Sequence, residues 1–421
     1  MTQSSVVGRQ SSVIVRLART LVVLVATTVT GCASGGSGGG ADGPGAPRGS
    51  SAAVAVAAAA PTRDYFVYVV SEATDEAALV RFGPDGARVE RRMPVGIHPA
   101  DPDGPHGAAV SPDGEHYFVT TGHGVPYGYI WKYETADDDV LGHAQLGMFP
   151  ASMQITPDGR YAYVVNFNLY GEMVPSSVSI VDADAMVEVA RLETCVMPHG
   201  SRFDPIGARH YSTCMMDDML VEIDTRAFEV ARHFVLTRGA ERGVQGSPAE
   251  HRLHATQAGD PTGHGAHAAP PASTRCSPTW ATTSADGSRV YVACNAANDI
   301  VEIDVASWRM LRRIPAGEGV YNLDVTRDGE LLIATNKRGR SVSLFDVGSG
   351  SEIARIETTR PVVHGIAVSD DDRYAFISIE GIGSMPGTVE VIDLAARARV
   401  AAVDVGQMAG GIAFWRSAPA E

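Results

Sequence analysis

Between residues 64 and 416 the chain repeats itself. A turn set in apolar alternation returns as "SPDGEHYFVT" at 111, "TPDGRYAYVVN" at 156, "SADGSRVYVAC" at 284, "TRDGELLIATN" at 326 and "SDDDRYAFIS" at 369, with a looser "DPIGARHYSTC" at 204. Each is followed by a second phrase, such as "SVSIVDADAMVEVARL" or "DIVEIDVASWRMLRRI". Alternation of period two, rich in Val, Ile and Tyr and broken by Asp-Gly, encodes antiparallel strands joined by hairpins. Each unit thus carries four short strands.

The aspartates that close the third strand, Asp182, Asp224, Asp304, Asp346 and Asp393, are 42, 80, 42 and 47 residues apart. The long step is one period plus an insertion. Four-stranded units of this length predict an all-β fold, the β-propeller. First strands begin near Gly107, Ser152, Gly200, Trp280, Asn322, Gly365 and Gly411, which makes seven blades. The last first strand, "GGIAFW", has no companions, while the repeat region opens with three strands and no first one. One carboxy-terminal and three amino-terminal strands therefore complete the seventh blade and remove the exposed sheet edges.

The chain upstream is of another kind. Arg9, Arg16 and Arg19 precede the apolar run Leu21 to Val29, a pattern of secretory signals. That run is about half of the roughly 20 residues a membrane-spanning helix needs. It leads into "VTGC", which resembles the lipobox of bacterial lipoproteins. The resemblance implies a signal peptide over 1–31, acylation of Cys32 and, since residue 33 is Ala, sorting to the outer membrane. Residues 32–62 are Gly, Ser, Ala and Pro and read as a flexible tether. The propeller is expected over 63–416. A formal charge of −15 argues against nucleic acid or anionic lipid as the main partner.

"YVVN" at Tyr163, "IATN" at Ile333 and the "PDG" turns resemble the YVTN family of seven-bladed propellers. The resemblance spans nearly all of 64–416 and implies the fold. It carries no activity, because propellers of this kind serve as enzymes, cofactor holders and binding surfaces.

Aligned blades can be compared position by position. The entry to the innermost strand, at one mouth of the central channel, is occupied in turn by His106, Ala151, His199, Thr279, Tyr321, His364 and Gly410. Three of the seven are histidines, each followed by glycine, and they stand in blades one, three and six. Three imidazoles on one axis with an open position would suit zinc or copper. Nitrous oxide reductase and the haem propeller of cytochrome nitrite reductase are similar in placing histidines over the channel, although neither ligand set is complete here. A plain strand entry whose imidazole bonds a neighbouring carbonyl is the alternative. His123, Tyr127 and Trp131, in "TTGHGVPYGYIWKYE", and Tyr321 are further candidate ligand contacts.

Four cysteines remain after Cys32, and an exported protein favours disulfides. Cys195 and Cys276 precede a first strand, while Cys214 and Cys294 end a second one, so the expected pairs are Cys195 with Cys214 and Cys276 with Cys294. Reflection about the turn sets Cys214 opposite His199, where a free thiolate would join the histidines. Met215 and Met216 carry no assigned role. The insertion, about 239–273, holds His251, His254, His264 and His267 and reads as a mobile loop, either idle or metal-handling.

Walker, dinucleotide, nucleophile-elbow, haem-attachment and HExxH motifs are absent from the sequence. The sequence thus points to an envelope-anchored binding scaffold that recognises a protein or small ligand at the channel mouth. A copper or zinc protein with a redox or delivery role is the alternative, and a lactone hydrolase comes third.

Overall fold

The structure is a computed structural model, and it describes residues 59–97, 102–123, 126–249 and 273–420. Seven antiparallel sheets follow one another around a ring, six of them with consecutive strands as neighbours. Blade one, for example, consists of Pro105–Val110, His116–Thr121, Tyr129–Glu134 and Val140–Gln145. Blades two to six start at Pro150, Pro198, Pro278, Val320 and Val363. Blade seven is built as expected: the inner strand Ala409–Pro419 pairs with Arg63–Ser71, which continues into Glu76–Gly83 and Gly86–Pro94.

Alternation explains why the ring holds. Each blade turns one set of side chains to either neighbour, so both faces of the sheet are buried. Seven apolar clusters result, one at each junction between consecutive blades. Tyr163 of blade two meets Phe203 of blade three edge-on, with ring centroids 4.9 Å apart. Burying a side chain of this size contributes roughly 2–3 kcal/mol.

The repeated turn has its own chemistry. In "[ST]-x-D-G" the aspartate accepts from the Ser or Thr hydroxyl two residues back and from the backbone N–H two residues on, as Asp286 does with Ser284 and Ser288. Asp113, Asp158 and Asp328 do the same, and so does Asp371 in "SDDD". The following glycine takes φ between 71° and 76° at 114, 159, 287 and 329, a left-handed conformation that glycine adopts without a Cβ penalty. In "DPIGARHYSTC" Asp204 occupies the hydroxyl position and accepts from the N–H groups of Ala208 and Arg209 instead.

Both expected disulfides form, Cys195–Cys214 and Cys276–Cys294. The expected loop at 239–273 requires a correction at its start. Arg242–Gln245 is a fifth strand on the outer edge of blade three, paired with Arg232 to Val235. Glu241, beside it, is held by Arg313 of blade four at 2.8 Å, so this part of the insertion is anchored. The four histidines of the insertion and Cys32 lie outside the described residues.

Candidate ligand site at the channel mouth

In all seven blades the chain enters the inner strand through the same backbone device. Two residues before the ring position the backbone is left-handed: Gly104, Phe149, Met197, Ser277, Gly319, Val362 and Met408 have φ between 47° and 69°. The ring residue itself falls in a β-bulge, where pairing with the second strand is skipped. A bulge re-aims a side chain out of the pleat. Here it frees the ring residue from the sheet at the channel mouth.

The histidine-glycine pairs have a steric cause. A Cβ at Gly107, Gly200 or Gly365 would lie 2.9, 2.4 or 2.9 Å from the carbonyl oxygen of Ala151, Thr279 or Gly410, the ring residue of the next blade. Closely packed inner strands leave room for hydrogen only. The bulge also sets the pairing register, in which Cys214 stands opposite Pro198 rather than His199. With Cys214 in a disulfide, the expected thiolate contribution to the histidines does not arise.

The ring histidines gather as expected. The His106 ring centroid is 5.3 Å from that of His364 and 6.4 Å from that of His199. Their nitrogens are engaged by the protein. His199 Nδ1–H donates to Thr279 O at 2.8 Å, so its Nε2 accepts from the Tyr321 hydroxyl at 3.0 Å. That hydroxyl also lies 3.3 Å from His364 Nε2. His106 Nδ1 is bonded to the Glu72 carboxylate, whose other oxygen accepts from His123 Nε2 at 3.1 Å. Among the described residues, no group of three or more His, Cys, Asp or Glu side chains is arranged to hold a metal ion. Tyr321 is the group that links His199 to His364.

A second ring completes the site, one residue past the end of each second strand: Glu72, Gly122, Phe167, Met215, Asn295, Lys337 and Glu380. All but Gly122 line a funnel of about 680 Å³ above the ring histidines. Its floor is His106, His199, Thr279 and Tyr321, and apolar walls come from Phe149, Phe167, Leu169, Met215, Pro361 and Val362. Lys337 Nζ is 2.7 Å from Glu380 and 4.2 Å from the centre of the Tyr321 ring.

Burial and charge set the protonation of this floor. Burial, reinforced by the nearby charge of His106, pushes His199 down to about 3. Burial and then the Lys337 ammonium hold His364 well below its ordinary range. Burial raises Tyr321 to about 12. For Glu72, burial is outweighed by the charge and hydrogen bond of His106, then by His123, and its carboxyl falls to about 2. At neutral pH His199 and His364 are therefore neutral imidazoles and Tyr321 a neutral phenol, beside a carboxylate, Glu72, and an ammonium, Lys337. The Lys337 ammonium is itself held above its usual range, because Tyr321 and Glu380 outweigh the effect of burial.

Of the other sequence candidates, His123 joins the site through Glu72. Tyr127 is 48 % exposed and is not among the residues that line the funnel. Trp131 requires correction: it sits in the third strand of blade one, 4 % exposed, inside the cluster between blades seven and one, and its indole N–H donates to Thr121 at 3.2 Å. Sequence reasoning missed Glu72, Lys337 and Glu380. The signal was available, since all three occupy equivalent positions in the repeat.

No family model matches the chain, and no curated protein matches it. Solved structures do resemble it. A functionally unknown protein from Desulfotomaculum acetoxidans is 16% identical with a TM-score of 0.61, over 83% of this chain and 98% of that one. The periplasmic gluconolactonase PpgL of Pseudomonas aeruginosa is 18% identical with a TM-score of 0.60, over 83% and 99%. Hydrazine synthase of Kuenenia stuttgartiensis is 18% identical with a TM-score of 0.56, over 74% and 91%. At these identities the shared property is the fold, and the chain is a seven-bladed β-propeller.

Proposed function

We propose that the protein is an envelope-anchored binding scaffold whose funnel takes a small amphipathic molecule, polar end down. The observation that carries this reading is the pairing of a polar floor with apolar walls in one concavity of ligand size, for which the usual range is about 300–1,000 Å³. Anchoring rests on the Cys32 phrase, and two buried disulfides suit an oxidising compartment. Replacing Cys32 by Ser and following palmitate incorporation tests the anchor.

The funnel is tested with 8-anilinonaphthalene-1-sulfonate, an amphipathic fluorophore, added to the native protein. The expected result is saturable one-site binding, weakened about tenfold by Leu169→Glu and by Lys337→Met. Absence of saturation, or indifference to both substitutions, discards the reading. Copper or zinc binding by His106, His199 and His364 would require Tyr321 to leave its place between two of them, and the same titration run with each metal reports it.

One observation favours a second reading, turnover of the bound molecule. Glu72 fixes His106 through Nδ1, an arrangement that prepares Nε2 as a general base. A lactone, the kind of substrate named for PpgL, would be opened by water whose proton passes to His106 while hydroxide adds to the carbonyl. The proton then goes to the departing ring oxygen. Proton release from gluconolactone above the spontaneous rate, lost in Glu72→Gln and His106→Asn, is the expected outcome. A rate equal to the spontaneous one removes this reading.

A further inference from the structure

One residue below the ring histidines the channel narrows. The residues at that level are Gly107, Ser152, Gly200, Trp280, Asn322, Gly365 and Gly411, of which five are glycine or serine. The two large ones, Trp280 and Asn322, are 8 % and 3 % exposed, and both line a throat cavity of about 40 Å³. Neither the indole Nε1–H of Trp280 nor the amide Oδ1 of Asn322 has a hydrogen-bond partner in the protein. Buried polar atoms are almost always satisfied, so two unsatisfied ones on residues that line one cavity point to a bound species.

Arg202 indicates its charge. Arg202 lines the same throat as well as the far mouth of the channel, and its guanidinium carries five N–H donors. Its contacts are a 3.4 Å bond to the Ser201 carbonyl, an ion pair with Asp324 stretched to 4.0 Å and the face of Trp280 at 5.3 Å. Asp324 lines the far mouth of the channel and not the throat. His106 and His364 are the other titratable groups on the throat wall, and no carboxylate lines it. The throat thus combines a half-buried cation with an unused indole donor.

We infer that the throat is a binding site for one monovalent anion of halide size, held by Arg202 and Trp280 Nε1–H. Asn322 contributes by turning its amide, which brings Nδ2 to the position of Oδ1 and gives up no bond at that oxygen. The volume exceeds the roughly 10–15 Å³ that a single water needs. It is far below that of the funnel, so the anion site and the amphipathic-ligand site are separate. The inference does not depend on the reading of the funnel.

The test uses the full chain in chloride-free gluconate buffer, titrated with chloride and followed by the line width of the chloride NMR signal. Saturable broadening is expected, reversed by bromide, absent in Arg202→Met and about tenfold weaker in Trp280→Phe. Trp280→Phe keeps a ring on Gly200 while removing the N–H, so it carries the test if Arg202→Met fails to fold. Crystals soaked in bromide should show an anomalous peak between Arg202 and Trp280. Broadening that does not saturate, broadening unchanged in Trp280→Phe, or a water in place of the bromide peak overturns the proposal.

Discussion

The two ends of the propeller are made by the same seven repeats and differ in how far those repeats agree. At the turn end, five blades use one arrangement, an aspartate that receives a hydroxyl and a backbone N–H. At the mouth end the backbone is equally uniform, with a left-handed residue and a bulge in every blade. The side chains there are not: the first ring runs from glycine to tyrosine and the second from glycine to lysine. Agreement among repeats marks what the fold requires of every blade. Divergence on a shared backbone marks positions released for another use.

The comparison can be broken most severely at Gly200. An alanine there meets Thr279 O at 2.4 Å and the Trp280 ring at 2.5 Å, and we expect a loss of about 3 kcal/mol in urea denaturation. The turn-end counterpart, Gly159→Ala, has only Pro112 Cδ at 3.9 Å and should lose about 1 kcal/mol, from the positive φ alone. Equal losses would show that the mouth relaxes as freely as the turns.

Acid should act next. His199, and His210 between blades two and three, are held at about 3, against an unfolded value near 6.5. Below pH 6.5 the unfolded chain binds protons that the folded one refuses. Their stabilisation is complete above that pH and is lost as pH falls towards 3, by up to about 1.4 kcal/mol per unit for each histidine. His123 runs the other way: Glu72 raises it, so its contribution is present at low pH and fades as pH rises through its folded value. Urea midpoints at pH 7, 6 and 5 should therefore fall, and His210→Val should reduce the slope. A flat profile would mean that these histidines accept protons in place.

Two smaller substitutions sharpen the contrast. Tyr321→Phe leaves His199 Nε2 without its donor and should lower stability by about 1 kcal/mol, together with the fluorophore affinity of the funnel. Asp286→Ala removes bonds to Ser284 and Ser288 for a similar loss of about 1 kcal/mol, and the affinity should not change. If Asp286→Ala weakened the fluorophore as well, the two ends would not be independent.

Much of this was legible before the fold was known. Seven blades, their closure, both disulfides and the gathering of His106, His199 and His364 all follow from alignment of repeats, since a propeller converts equal sequence position into equal height on the channel. What escaped had local causes. Trp131 follows an aromatic, histidine-bearing loop but belongs to a third strand, which places it between blades. The facing of Cys214 and His199 failed because a bulge breaks the simple reflection, and bulges leave little trace in alternation. Tyr321 was in view, but its place between two imidazoles depends on ring geometry. Glu72, Lys337 and Glu380 were missed because the second-strand exit was compared only at cysteines, although the same alignment contained them.

Arg63 begins the second strand of blade seven at the turn end, and Arg373, in the turn of blade six, donates to Ala59 O at 2.9 Å. The first strand residue therefore sits at the base of the ring, nine residues of strand away from Glu72 and the funnel. Like a cup with its foot and its opening at opposite ends, the propeller sets this first strand residue at the end away from the funnel. A label or surface linkage placed at the exposed Arg63 should leave the mouth clear.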